Sequence, residues 1–145
     1  MREMLSAEKL LEILKVLQDG RKNTPYMSMI KLVFFAERHH IRNYGLPLTS
    51  DMYYAMKHGP VPSAVKNLIN KNFPYMGFIS ENQKRLIDDS IILKDRNTND
   101  KLVSFSVKNN NYYDLSKSAT TSITFTLSKF GSFDQNELIE ITHAY

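Results

Sequence analysis

The first regular pattern in the chain is SAEKLLEILKVLQDG, residues 6–20, in which Leu10, Leu14 and Leu17 fall on one face and Leu11, Ile13 and Val16 widen it. That spacing predicts an amphipathic helix. Ser6 fits its N-cap, Glu8 sets a negative charge in its first turn, and Gly20 suits a left-handed residue just past its end. The next pattern is NTPYMSMIKLVFFAERHHIRNYG, residues 23–45. Thr24 is placed to cap this second helix, with Pro25 at the first helical position. Met27, Ile30, Phe34 and Ile41 mark one face, while Leu32, Val33, Phe35 and Ala36 make the middle apolar nearly all round. Such a helix is expected at the centre of a bundle. Tyr44 and Gly45 end it.

A short connection, LPLTSD, leads to MYYAM, which has no clear period. The GPVP that follows is stiff: Gly59 frees the backbone, Pro60 removes a donor and fixes φ, and the proline keeps residue 59 out of the helical region. Pro62 fits the first turn of a third helix, PSAVKNLINK, striped by Val65, Leu68 and Ile69. This corner either turns the chain or holds a surface for a partner; pattern alone leaves both open. The period then changes. Val103, Phe105 and Val107 alternate with Ser104, Ser106 and Lys108, the two-residue repeat of a half-buried strand. Ile91–Lys94 is the expected partner strand, with DRNTND as the turn.

Residues 116–131 carry two signals. Their threonines and Ile123-Thr124-Phe125 favour a strand. Ala119, Ile123, Leu127 and Phe130 nevertheless fall at helical spacing, and Gly131 closes the run, so a helix is the reading adopted. In the last segment Asp134 and Glu137 form an acidic analogue of the capping box, with Leu138 and Ile141 facing inward. The sum is a mainly α fold: a compact helical domain of about five helices with an inserted two-stranded antiparallel β-hairpin at residues about 86–108, read as one domain over residues 1–145.

Composition narrows the function. A chain of 145 residues with 42% hydrophobic side chains can bury one core. It has no cysteine, which removes disulfides, thiolate metal sites and cysteine catalysis. Net charge is +4, which suits an acidic partner without the dense cationic stripe of most nucleic-acid binders. Charges interrupt every apolar pair near the N-terminus, and no apolar run reaches membrane-spanning length. The expected location is cytoplasmic, with no membrane partner.

Candidate chemistry is sparse. His39 and His40 are adjacent on a helix and diverge by about a hundred degrees, so they do not share one metal ion. The expectation is one packed and one exposed ring, and no metal. Asp88 and Asp89 read as solvated acids at the hairpin start, because neighbouring strand residues face opposite ways. There is no Walker loop, no G-x-G-x-x-G and no G-x-S-x-G. No cofactor is expected, and the chain does not read as an enzyme. What remains is an aromatic, basic stretch. Tyr53, Tyr54, Phe73, Tyr75 and Phe78 surround GPVP, with Lys57, Lys66 and Lys71 nearby. Tyrosine joins a large contact area to a polar tip and is common in recognition surfaces, although covering the third helix is the plainer role for each ring. His58 is read as a binding or corner-locking group, and His143 as a cap of the last helix or part of the same surface.

The segment KLVFFAERHHIRNYGLPLTSDMYYAMKHGPVPSAV resembles the core of the Panacea, or SocA-like antitoxin, domain. Lys31, Leu32, Phe34, Phe35 and Ala36 match its first helix. Tyr44, Gly45 and Pro47 match its turn, and Gly59, Pro60 and Val61 its Gly-Pro-Val. Gly131, Glu137, Leu138, Thr142 and His143 match its closing segment. Two departures stand out: Met56 takes a place where the family often has tryptophan, and the chain stops at Tyr145, shortly after the Thr-His pair. The resemblance implies a bacterial or phage antitoxin that neutralises a cognate toxin protein by direct binding. It also implies two alternatives, an adaptor delivering the toxin to a cytosolic protease and a nucleic-acid-binding regulator of its own operon. The contact residues expected are Tyr53, Tyr54, Lys57, His58, Gly59, Pro60 and Val61.

Overall fold

The second helix has no polar face in its middle because protein surrounds it. In the computed structural model, which describes residues 6–77 and 79–143, helix α2 (Tyr26–Tyr44) buries Met29, Ile30, Leu32, Val33, Phe35 and Ala36. Helices α1 (Ala7–Gly20), α5 (Lys117–Phe130) and α6 (Gln135–His143) pack against it, as do two strands. Leu10, Leu11, Leu14 and Leu17 of α1 and Ala119, Ile123 and Phe130 of α5 fill one core with it. The Phe35 and Phe130 rings stack with centroids 4.0 Å apart.

The described residues form six α-helices and two antiparallel hairpins, where the sequence predicts about five helices and one hairpin. The extra helix, α4 (Glu81–Ser90), has a true capping box. Ser80 Oγ accepts from the Gln83 N–H, and the Gln83 side chain accepts from the Ser80 N–H. It escapes the periodicity test because Ile87 and Ser90 alone are buried on it. The hairpin expected at about 86–108 therefore begins later. Strands β3 (Ile91–Arg96) and β4 (Leu102–Val107) pair with Ile91 opposite Val107 and Leu93 opposite Phe105. Asp88 and Asp89 lie on α4, not on a strand, and Asp88 meets Lys71 at 3.0 Å. Val103 is exposed rather than inward, because a bulge at this point breaks the two-residue alternation and passes the buried position to Leu102. Gln18 of α1 fixes the far end of the ribbon, its side chain both donating to the Val107 carbonyl at 2.9 Å and accepting the Val107 N–H at 2.7 Å.

Helix α5 forms despite its threonines. Ser116 Oγ caps it through the Ala119 N–H, and the Thr121 and Thr126 hydroxyls donate to carbonyls four residues back, so they are satisfied inside the helix. The Asp134–Glu137 box that opens α6 is present in both directions, at 2.8 and 3.2 Å. Four local expectations fail. Pro25, not Thr24, occupies the N-cap of α2, in extended conformation, and pairs with Ser104 as an isolated bridge. The Thr24 hydroxyl turns back to the Arg21 carbonyl instead. Gly20 ends α1 as a helical residue rather than a left-handed one, and it packs closely against the Leu127 side chain of α5, which a Cβ there would displace. Ile41 points outward, past the last turn that the neighbouring helices cover.

The GPVP corner is the largest correction. It is a strand, β2 (Gly59–Pro62), paired with β1 (Tyr53–Met56) across a turn at Lys57-His58. Helix α3 (Ser63–Asn70) follows directly and buries Val65, Leu68 and Ile69 as its stripe predicts.

Candidate functional site

The hairpin is positioned by three carefully satisfied groups. The first is Asp51, just before β1. Its Oδ1 accepts the N–H groups of Met52 at 2.7 Å and Ala64 at 2.8 Å, and its Oδ2 accepts that of Val65 at 3.0 Å. Helix α3 has Pro62 at its N-cap and no side-chain cap of its own; Asp51 supplies the missing acceptor from across the hairpin. Burial raises its carboxyl pKa, and the three N–H groups oppose that rise.

The second is Glu37 of α2, which is buried. Its carboxylate accepts the N–H groups of Leu48 and Thr49 and the Thr49 hydroxyl, pinning the loop that leads to β1. The Tyr53 ring then packs edge-on against Phe34 at 5.8 Å. Its hydroxyl is buried beside the Thr49 side chain but outside hydrogen-bond geometry. Burial first, then the Glu37 and Asp51 charges, push the Tyr53 phenol well above its ordinary range, so it stays protonated.

The third is Lys31, which is 0% exposed. Its Nζ donates to the Pro60 carbonyl at 3.2 Å. Burial lowers its pKa to about 8. Gly59 sits directly over this amine with φ +99°, a backbone setting that favours glycine. A Cβ there would lie 2.9 Å from Thr142 Oγ1, 3.2 Å from Lys31 Nζ and 3.4 Å from His143 Cδ2. Residues from α2, β2 and the end of α6 thus meet at one point.

The expected contact residues do come together, but in two roles. Tyr54, Lys57 and His58 are exposed on the hairpin. Tyr53 and Val61 turn inward and support it, and Gly59 and Pro60 are half-buried between. His143 lies beside Gly59, on the side of the same hairpin. Met52, Tyr54 and Met56 form an apolar outer face, with Tyr54 and Met56 each 51% exposed. Phe73 and Tyr75 belong to a 3₁₀ turn against α3 rather than to the hairpin, and Phe78 lies outside the described residues.

His39 and His40 are both engaged, which corrects the expectation of one exposed ring. His40 is buried, with Nδ1 donating to the Leu46 carbonyl at 2.6 Å and Nε2 2.9 Å from Ser118 Oγ. His39 stacks on Phe125 at 4.2 Å and meets Ser122 Oγ at 2.8 Å. The two rings fasten α2 to α5. Among the described residues no three His, Asp or Glu side chains converge on one point. A cavity of about 290 Å³ between α1 and the β3–β4 ribbon is lined by Gln18, Lys22, Thr24, Lys94 and Phe105 among others, and by no residue of β1 or β2.

A family model described as antitoxin SocA-like, Panacea domain, matches residues 29–145. The chain belongs to that family. The match takes in Lys31, the hairpin and the Thr142–His143 pair, so the residues clustered around Gly59 all belong to the Panacea domain. Comparison with curated proteins and with solved structures returns no match. None of the described helices of this Panacea domain is long and apolar enough to cross a membrane.

The convergence was half legible in the chain. Gly59, Pro60 and Val61 signal themselves as a motif, whereas Lys31, Glu37 and Asp51 do not signal their tasks. A lysine inside an all-round apolar helix is the one available hint, since so costly a burial needs a dedicated acceptor.

Proposed function

We propose that this Panacea domain is an antitoxin acting in the cytoplasm, and that it neutralises a cognate toxin by direct protein–protein binding through the β1–β2 hairpin. One observation carries the reading. Three family segments far apart in the chain, at Lys31, Gly59–Val61 and Thr142–His143, converge on the inner side of the hairpin. Its outer side meanwhile carries Tyr54, Met56, Lys57 and His58 in the open. A pinned hairpin with an aromatic, cationic outer face loses little freedom on binding.

The experiment is co-expression with the product of the adjacent reading frame. Growth arrest by that product should be relieved by the unaltered chain, and the two should co-purify. Tyr54→Ala combined with Lys57→Glu should abolish relief while leaving the melting temperature unchanged. Relief that survives the double substitution removes the hairpin from the reading. Relief accompanied by disappearance of the toxin, restored by deleting a cytosolic protease, would make the domain an adaptor instead.

A further inference from the structure

The prolines of β2 fix which backbone groups of β1 are spent. Tyr53 stands opposite Pro62 and Ala55 opposite Pro60. Proline has no N–H, so neither pair exchanges hydrogen bonds. The bonded pairs are Tyr54–Val61 and Met56–Gly59, and the Ser63 N–H to Met52 carbonyl bond, 2.9 Å, continues the same alternation. The N–H and C=O groups of Tyr53 and Ala55 therefore point away from β2. The sheet has two strands, and among the described residues no third strand lies beside β1. The other edge is closed: Pro60 and Pro62 offer no donor there, and the Pro60 carbonyl already accepts from Lys31.

The stretch of chain that carries this open edge has no acidic residue. Residues 52–80 include no aspartate or glutamate; Lys57 and His58 stand exposed at the turn, while Lys71 is already paired with Asp88. Asp51 and Glu37, whose charges bear on Tyr53, are held by N–H and hydroxyl donors. Met52, Tyr54 and Met56 add an exposed apolar face to the same strand.

We propose that the outer edge of β1 takes up an extended, acidic segment of the partner protein as a third strand. The main-chain groups of Tyr53 and Ala55 bond to the incoming backbone. Lys57 and His58 at the turn receive its carboxylates, and Tyr54 and Met56 pack against its apolar side chains. This deepens the partner-binding reading of the hairpin and rests on it.

Two probes test it: the co-expressed toxin, and a displayed library of random short peptides. Peptides enriched on the unaltered chain should be acidic and free of proline at alternate positions. With either probe bound, amide exchange of Tyr53 and Ala55 should slow by at least about tenfold, while that of Tyr54, already bonded, changes little. Ala55→Pro removes one outward N–H and no ladder bond, so it should weaken binding by about tenfold with an unchanged melting temperature. Ala55→Val keeps the donor and should bind as the unaltered chain does.

Unchanged exchange at Tyr53 and Ala55 in the complex overturns the proposal, and this readout needs no variant. So does full binding by a folded Ala55→Pro. If that variant binds while Tyr54→Ala with Lys57→Glu does not, strand addition falls and side-chain recognition by the hairpin stands. If acidic peptides protect the edge yet no toxin is neutralised, the antitoxin reading falls and the strand site stands. Protection that grows with protein concentration and no probe assigns the edge to a second copy of this chain, and overturns the proposal.

Discussion

The ammonium of Lys31 reaches the carbonyl oxygen of Pro60 at 3.2 Å and so ties the central helix to strand β2 of the hairpin. No carboxylate forms an ion pair with it among the described residues. Its burial lowers its pKa to about 8, against about 10.4 for a lysine in an unfolded chain. Between those values the unfolded state holds the extra proton, so stability must rise as pH increases through that window. Above about pH 10 the trend reverses, because the buried Tyr26 and Tyr53 phenols resist an ionisation that the unfolded chain undergoes. Denaturant titrations between pH 7 and 11 should show this hump, and Lys31→Met should remove its rising limb.

Gly59 is held where no side chain fits. Gly59→Ala meets both a positive φ and two polar atoms within 3.2 Å. We expect a loss of about 1–3 kcal/mol in unfolding free energy, larger for Gly59→Val. His58→Ala, one residue earlier and exposed, should be neutral within about 0.5 kcal/mol. Thermal melts of the three variants make the comparison.

Asp51→Ala strips α3 of the side-chain acceptor that caps it among the described residues and removes the partner of three N–H groups. A cost of about 1–3 kcal/mol follows from lost capping and unmet donors. Amide exchange at Ala64 and Val65 should accelerate more than at Leu68, which lies deeper in the helix.

Tyr54→Ala should leave the melting temperature in place, because the side chain is half exposed and its hydroxyl makes, among the described residues, one weak contact to Met52 Sδ at 3.9 Å. Partner affinity should fall by about tenfold or more, the usual weight of an aromatic anchor. Tyr53→Ala should show the opposite pattern first, losing stability by removing the ring that meets Phe34. Calorimetric melts paired with binding isotherms separate the two tyrosines.

These two neighbours also show how far the sequence could be read. The helices with broad apolar stripes, α1, α2, α3 and α5, were legible because burial on one side imposes a 3.6-residue repeat. Helix α4 was not, since one buried Ile87 leaves no stripe to detect, and its Ser80–Gln83 box was the overlooked signal. GPVP read as a corner because prolines argue against strands in a sheet interior. At an edge they fit, and nothing local in MYYAM announces that it is the partner strand. The expected contact residues lie together on one hairpin, but their division into inward Tyr53 and outward Tyr54 depends on register, which long-range packing on α2 decides. The tasks of Lys31, Glu37 and Asp51 were invisible because each serves a backbone group remote in sequence.

Proline at alternate positions of one strand gives this small sheet a direction of growth. A molecule can gain a neighbour on one flank and can pass nothing on from the other. A second copy pairing β1 to β1 would leave only proline-bearing β2 edges on either side, so such pairing would not propagate into a fibre.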